Sequence, residues 1–151
     1  MPAAVRTDKR TRGDLRCLVL TPRKNVFDEF IESATLTTLD GELEVFARFE
    51  PTISPLAVGV MLVRGNDGST VSLAIHGGYM DMNGKTLVIL ADSAEIGDGI
   101  DVERARRALA RAKALLAGVA SDKAAKADLD RARLALLRAL TRLRVAGETA
   151  D

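Results

Sequence analysis

The 151-residue chain contains one Cys, one His, one Tyr, four Phe and no Trp, and each scarcity excludes a class of chemistry. A single thiol, Cys17, permits neither a disulfide framework nor a Cys-rich zinc site. A single imidazole, His76, excludes a two-histidine metal centre and leaves little for acid–base catalysis. With no nucleophile–base pair in sight, a small enzyme is disfavoured. The longest stretches without charge, residues 51–63 and 68–80, are 13 residues each. A spanning helix needs about 18 or more, so the chain is not expected to cross a membrane. The first residues carry charge but no apolar core of the kind a secretory signal has. Net charge is small as well: 22 Lys and Arg against 21 Asp and Glu leave +1. What the chain does have is 47% hydrophobic and 28% charged residues, enough to bury a core in one small domain plus an appendage. The expected product is a soluble, cytoplasmic-side protein with few side chains suited to catalysis.

The small total conceals an asymmetry. Residues 1–99 hold 10 Lys and Arg against 14 Asp and Glu, whereas residues 100–151 hold 12 against 7. Gly and Pro usage changes at the same place: the last Pro is Pro55, and beyond Gly99 only Gly118 and Gly147 remain. A boundary is therefore expected near Gly97-Asp98-Gly99. The front part reads as strands. Residues 15–20 are short and apolar, residues 30–39 are rich in Thr and end at the turn Asp40-Gly41, and residues 60–63 run into Gly65-Asn66-Asp67-Gly68. Val71, Leu73 and Ile75 alternate with smaller residues in the period of a half-buried strand, and residues 87–91 form a fully apolar one. Short strands at this spacing predict a small sandwich or barrel.

The back part reads as two helices. Val102, Ala105, Leu109, Ala112, Leu116 and Val119 follow a heptad seam, broken at Gly118-Val119-Ala120-Ser121. Ser121 or Asp122 can cap a second helix, on which Leu129, Ala132, Leu136, Leu140 and Leu143 form a matching stripe. A short break between such helices makes an antiparallel hairpin. Much of the seam is Ala, and a buried methylene contributes only about 0.8 kcal/mol, so the hairpin is expected to dock weakly. The organisation expected is a disordered leader at 1–13, a β-sandwich at 14–99, a helical hairpin at 100–147 and a tail at 148–151.

Several features imitate chemistry. Gly78 and Gly84-Lys85-Thr86 resemble a phosphate loop, but five residues separate the glycines and a strand, not a helix, follows. His76 reads as structural and Cys17 as a buried small hydrophobe. One cluster is less easily set aside. Glu95, Asp101 and Arg104 bracket the start of the first helix, and Arg138 and Arg142 lie one turn apart on the second. Asp101 is a good helix cap, so a structural account exists. An antiparallel hairpin nevertheless brings both arginines near Arg104, a grouping suited to a polyphosphate.

Between about Leu15 and Ala146 the sequence resembles the epsilon subunit of F-type ATP synthases. The matching segments include Leu20-Thr21-Pro22, Asp40-Gly41-Glu42-Leu43, Gly77-Gly78-Tyr79, Val88-Ile89-Leu90-Ala91-Asp92, Ile100-Asp101-Val102-Glu103-Arg104-Ala105 and Leu143-Arg144-Val145. Their order and spacing carry the resemblance. It implies a sandwich of about ten strands followed by a helical hairpin, in a rotor subunit that performs no chemistry and requires no cofactor. The implied partners are the gamma subunit, the ring of c subunits and, through the hairpin, a catalytic beta subunit whose ATP hydrolysis the extended hairpin inhibits. The implied location is the inner face of the cell membrane, peripheral and on the cytoplasmic side. Some bacterial members bind a regulatory ATP through Ile/Leu-Asp-x-x-Arg-Ala. Glu95, Asp101, Arg104, Arg138 and Arg142 match that set, and Glu42 matches an acid facing the c ring. One segment departs: the family's Leu-Pro-Gly-His is here Phe46-Ala47-Arg48-Phe49, which loses the preset turn geometry of Pro-Gly. The competing reading is a free-standing module whose basic hairpin contacts nucleic acid or an acidic protein. The lack of aromatic side chains on the helices weighs against nucleic acid.

Overall fold

A computed structural model describes residues 15–119 and 126–149. The leader at 1–13 and the caps Ser121 and Asp122 lie outside them. Eight strands form the front part: β1 (Leu15–Leu20), β2 (Asn25–Ile31), β3 (Ser33–Thr38), β4 (Gly41–Phe46), β5 (Thr52–Arg64), β6 (Thr70–Met82), β7 (Thr86–Ala91) and β8 (Ala94–Ile96). They share one ladder in the order β2-β1-β7-β6-β5-β3-β4, with β8 on β6. The ladder folds over on itself, and apolar side chains from all eight strands meet in one core that includes Leu15, Cys17, Leu36, Met61, Leu73, Met80 and Ile89. Cys17 is fully buried there, and burial pushes its thiol up to about 12, so it packs as a small hydrophobe.

Eight described strands rather than about ten arise because β5 and β6 are each 13 residues long and serve both layers. Their pairing skips from Leu56↔Gly78 to Val58↔His76. The bend falls at Gly77 and Gly78, both at positive φ, and a Cβ on Gly78 would collide with the Leu90 carbonyl oxygen. The Thr-rich stretch at 30–39 is likewise shared between two strands. The chain breaks at Glu32, where it leaves β1's partner strand and enters the ladder beside β5. The expected half-buried strand at 71–75 is more enclosed than its pattern implied. Leu73 and Ile75 enter the core, while the intervening Ala74 and the following His76 are also buried, because α2 rests on β5 and β6. In the opposite sense, the fully apolar β7 leaves Leu90 52% exposed.

A 3₁₀ turn (Gly97–Gly99) leads into α1 (Val102–Val119), and α2 (Lys126–Val145) returns antiparallel. Helix α1 runs through Gly118 to Val119, into the first half of the expected break, whose second half lies outside the described residues. Its first turn is capped by Asp101, whose Oδ1 accepts the Arg104 backbone N–H at 3.0 Å. Helix α2 ends in a Schellman motif: Glu148 N donates to Leu143 O, Gly147 N donates to Arg144 O, and Gly147 supplies the positive φ. The helices meet through Ala105 and Leu109 against Ala139 and Leu143; Ala105, Leu109 and Leu143 stand on the expected stripes, whereas Ala139 lies beside the one expected on the second helix. The Arg106 guanidinium adds an ion pair to Glu148 at 2.6 Å.

Candidate functional site

Helix α2 has a second packed face. Arg138, Thr141, Arg142 and Val145 follow the i, i+3, i+4, i+7 spacing of one helical stripe, and this stripe meets the sandwich. Arg142 Nε lies 3.0 Å from both carboxylate oxygens of Glu95, and its Nη2 lies 2.9 Å from Oε1. Both side chains are about 30% exposed (29% and 32%), so this forked, charge-assisted contact is shielded more than a surface pair. At the end of the same stripe, the Val145 carbonyl comes so close to Gly97 that a Cβ there would stand 2.8 Å from it. Together these contacts fasten α2 to the sandwich.

Beneath them lies His76, 2% exposed, with no hydrogen-bond partner for either ring nitrogen. Its Nε2 is 3.9 Å from Glu95 Oε1. Burial, reinforced by the positive charge of Arg142 and Arg138 and opposed by Glu95, pushes the imidazole down to about 4. It is therefore neutral at physiological pH, and its approach to Glu95 is not an ion pair there.

Because α1 packs on α2 while α2 rests on the sheet, a cleft of about 530 Å³ lies between α1 and the sandwich. Glu95, Asp101, Arg104 and Arg142 line it, together with Arg23 and Arg111. Four guanidinium groups thus face two carboxylates, of which Glu95 holds Arg142 and Asp101 caps α1. The arrangement leaves excess positive charge in a partly enclosed space, which suits an anion with several oxygens.

Four of the five residues singled out in the sequence meet in this cleft. The fifth, Arg138, does not line it, although its charge reaches His76. Arg23 and Arg111 were missed. Arg111 carried a signal, since it stands two helical turns from Arg104 on the same face; Arg23, on the β1–β2 turn, carried none. Glu42 lies elsewhere, exposed on the edge strand β4 opposite Thr37. The altered loop keeps a tight turn: Phe49 N donates to Phe46 O at 3.1 Å, and Arg48 adopts φ 68° where the family has Gly.

Residues 14–97 match the β-sandwich domain of the ATP synthase delta/epsilon chain, and residues 98–147 match its long α-helix domain. The chain belongs to the ATP synthase delta/epsilon family. Its similarity to curated members of the family extends over nearly their whole length. It is 38% identical over 133 residues to the ATP synthase epsilon chain of Gloeobacter violaceus, covering 88% of this chain and 97% of that one. It is 41% identical over 130 residues to that of Halalkalibacterium halodurans, covering 85% and 94%. Among solved structures, a chain of the Euglena gracilis mitochondrial ATP synthase (OSCP/F1/c-ring) has the same fold, with a TM-score of 0.75 at 23% identity over 98% of this chain and 90% of that one. A chain of the Tetrahymena thermophila mitochondrial ATP synthase central stalk and c ring is more distant, at 0.56 and 15% over 87% and 96%. Family membership over both modules disfavours the free-standing nucleic-acid module.

Proposed function

We propose that the chain is the epsilon subunit of an F-type ATP synthase. In this reading the sandwich sits with the gamma subunit on the c ring in the central stalk, with Glu42 facing the ring. The subunit transmits proton-driven rotation toward the catalytic head and carries no catalytic side chain of its own. It is peripheral to the membrane on the cytoplasmic side. The basic hairpin is the regulatory arm, which on leaving the sandwich meets an acidic segment of a beta subunit and restrains ATP hydrolysis; complementary charge favours that encounter.

The observation that carries the reading is the forked Arg142–Glu95 contact, a polar latch that holds the arm over an arginine-lined cleft. A latch of charged groups releases more readily than an apolar seam, because each group regains water on leaving. Glu95, Asp101, Arg104 and Arg142 form the regulatory ATP site in this proposal, with Arg138 adding positive charge from outside the cleft lining. ATP at a hundred times its Kd would hold the arm down by about 2.7 kcal/mol, favouring the uninhibited state.

Three measurements test it. The subunit should co-purify with gamma and the c ring, and deletion of residues 98–151 should raise ATP hydrolysis by the assembled complex. In the isolated chain, millimolar ATP should raise the melting temperature. Absence from a purified synthase would refute the stalk assignment, and an unchanged melting curve would refute the nucleotide site alone.

A further inference from the structure

The cleft differs from a pocket within one module in that its two walls move apart when the arm lifts. Helix α1 supplies Arg104 and Arg111, α2 supplies Arg142, and the sandwich supplies Glu95 and Arg23. Arg23 is held differently from the rest. It sits in the four-residue turn Thr21-Pro22-Arg23-Lys24, where the Thr21 hydroxyl accepts the backbone N–H groups of Arg23 and Lys24 at 3.3 and 3.2 Å and donates to the Lys24 carbonyl at 3.0 Å. Thr21 N also donates to Lys24 O at 3.0 Å, and Pro22 restricts its own φ. The turn therefore fixes the root of Arg23 at the mouth of the cleft before any ligand arrives.

The charges around it are unbalanced. Arg142 is engaged by Glu95 and the Asp101 carboxylate caps α1. Among the described residues, Arg23, Arg104 and Arg111 form no ion pair. Like charges on opposite walls repel across a space whose walls screen them less than bulk water. An anion with several charged oxygens replaces that repulsion with contacts to both walls, and planar guanidinium forks suit phosphate oxygens in particular.

We propose that Arg23 is a polyphosphate-binding residue, gripping the phosphates of the regulatory nucleotide from the sandwich side while Arg104 and Arg111 grip them from α1. The bound phosphates then bridge the two modules. This rests on the nucleotide reading above and adds to it the residue that makes binding depend on the arm being down. With Arg23 in place, lifting α1 separates the two sets of contacts, so the ligand binds the docked arm more tightly than the lifted one. That differential affinity is what allows a ligand to shift the equilibrium.

The test compares the full-length wild-type chain, R23Q and R23K by calorimetric titration with ATP and, separately, with inorganic tripolyphosphate. R64Q, on the far end of β5, serves as a control for general loss of positive charge. R23Q should weaken both ligands about tenfold, in line with loss of one hydrogen-bonded charge contact, while the ligand-free melting temperature does not fall, since the variant removes only repulsion across the empty cleft. R23K, which keeps the charge but not the fork, should fall between, and R64Q should match wild type. Wild-type affinity in R23Q overturns the role of Arg23 and leaves the nucleotide site standing. Failure of the wild type to bind either ligand overturns both. If R23Q does not fold, R23K decides, and an affinity within twofold of wild type overturns the proposal.

Discussion

Arg48 shows how a backbone position can outlast the residue that suits it best. Phe46–Phe49 closes as a four-residue turn with positive φ at its third position, the geometry for which Pro at the second and Gly at the third are favoured. The chain holds Ala47 and Arg48 there instead. A further bond from Arg48 N to Gly84 O at 2.9 Å and the edge-to-face contact of Phe46 with Phe49, centroids 5.7 Å apart, hold the turn in place. The loss of Pro-Gly was legible in the sequence; the survival of the turn was not, because its supports come from a distant strand connection. A left-handed non-glycine residue costs roughly 1 kcal/mol, and Pro in place of Ala at a compatible position stabilises by about 0.4–1 kcal/mol. Glycine's greater freedom in the unfolded chain offsets about 0.5–1 kcal/mol of that gain, so the double variant A47P/R48G should unfold about 1 kcal/mol harder in urea, with an unchanged m-value. A destabilised double variant would mean that the Arg48 side chain contributes more than its backbone costs.

At the scale of elements, the apolar stripes of α1 and α2 and the strand boundaries at 15–20 and 87–91 could be read because burial leaves a hydrophobic period. The face of α2 that touches the sandwich left none. Its members are Arg138, Thr141, Arg142 and Val145, three of them polar, so periodicity alone assigns them to solvent. The cleft was half legible for the same reason. Residues near a helix start could be grouped by spacing, whereas Arg23 joins them only through the folding of the sheet. Gly97 is the other hidden member of this contact, since its importance depends on a carbonyl at the far end of the chain. A methyl group at Gly97 would stand 2.8 Å from Val145 O and 3.3 Å from Val145 Cγ1, closer than packed atoms tolerate. G97A should therefore lift the C-terminal turn of α2 at a cost of about 1–3 kcal/mol. Hydrogen exchange should show faster exchange in α2 with the strand core unchanged. Equal exchange in both chains would show that α2 does not depend on this approach.

For the whole molecule, the arm and the sandwich share a buried titratable group, which makes docking sensitive to pH. His76 projects from β6 toward the stripe of α2 that carries Arg138 and Arg142, with Glu95 of β8 beside it. With the arm down the imidazole stays neutral, pushed down to about 4; with the arm lifted, water and distance from both arginines return it toward its ordinary value near 6.5. The lifted form then binds a proton more readily, so docking is fully present above about pH 6.5 and weakens as pH falls toward 4. Each pH unit in that window is worth up to about 1.4 kcal/mol, or roughly 2 kcal/mol at pH 5. The stripe by which α2 meets the sandwich, Arg138, Thr141, Arg142 and Val145, is mostly polar and has little apolar energy with which to offset that loss. Fluorescence energy transfer between labels on β4 and the outer face of α1 should report a docked arm at pH 7.5 and a growing lifted fraction at pH 5.5. H76Q, which removes the titrating group, should flatten that dependence. A wild-type chain that stays docked across the window would show that His76 remains buried whether or not the arm is in place.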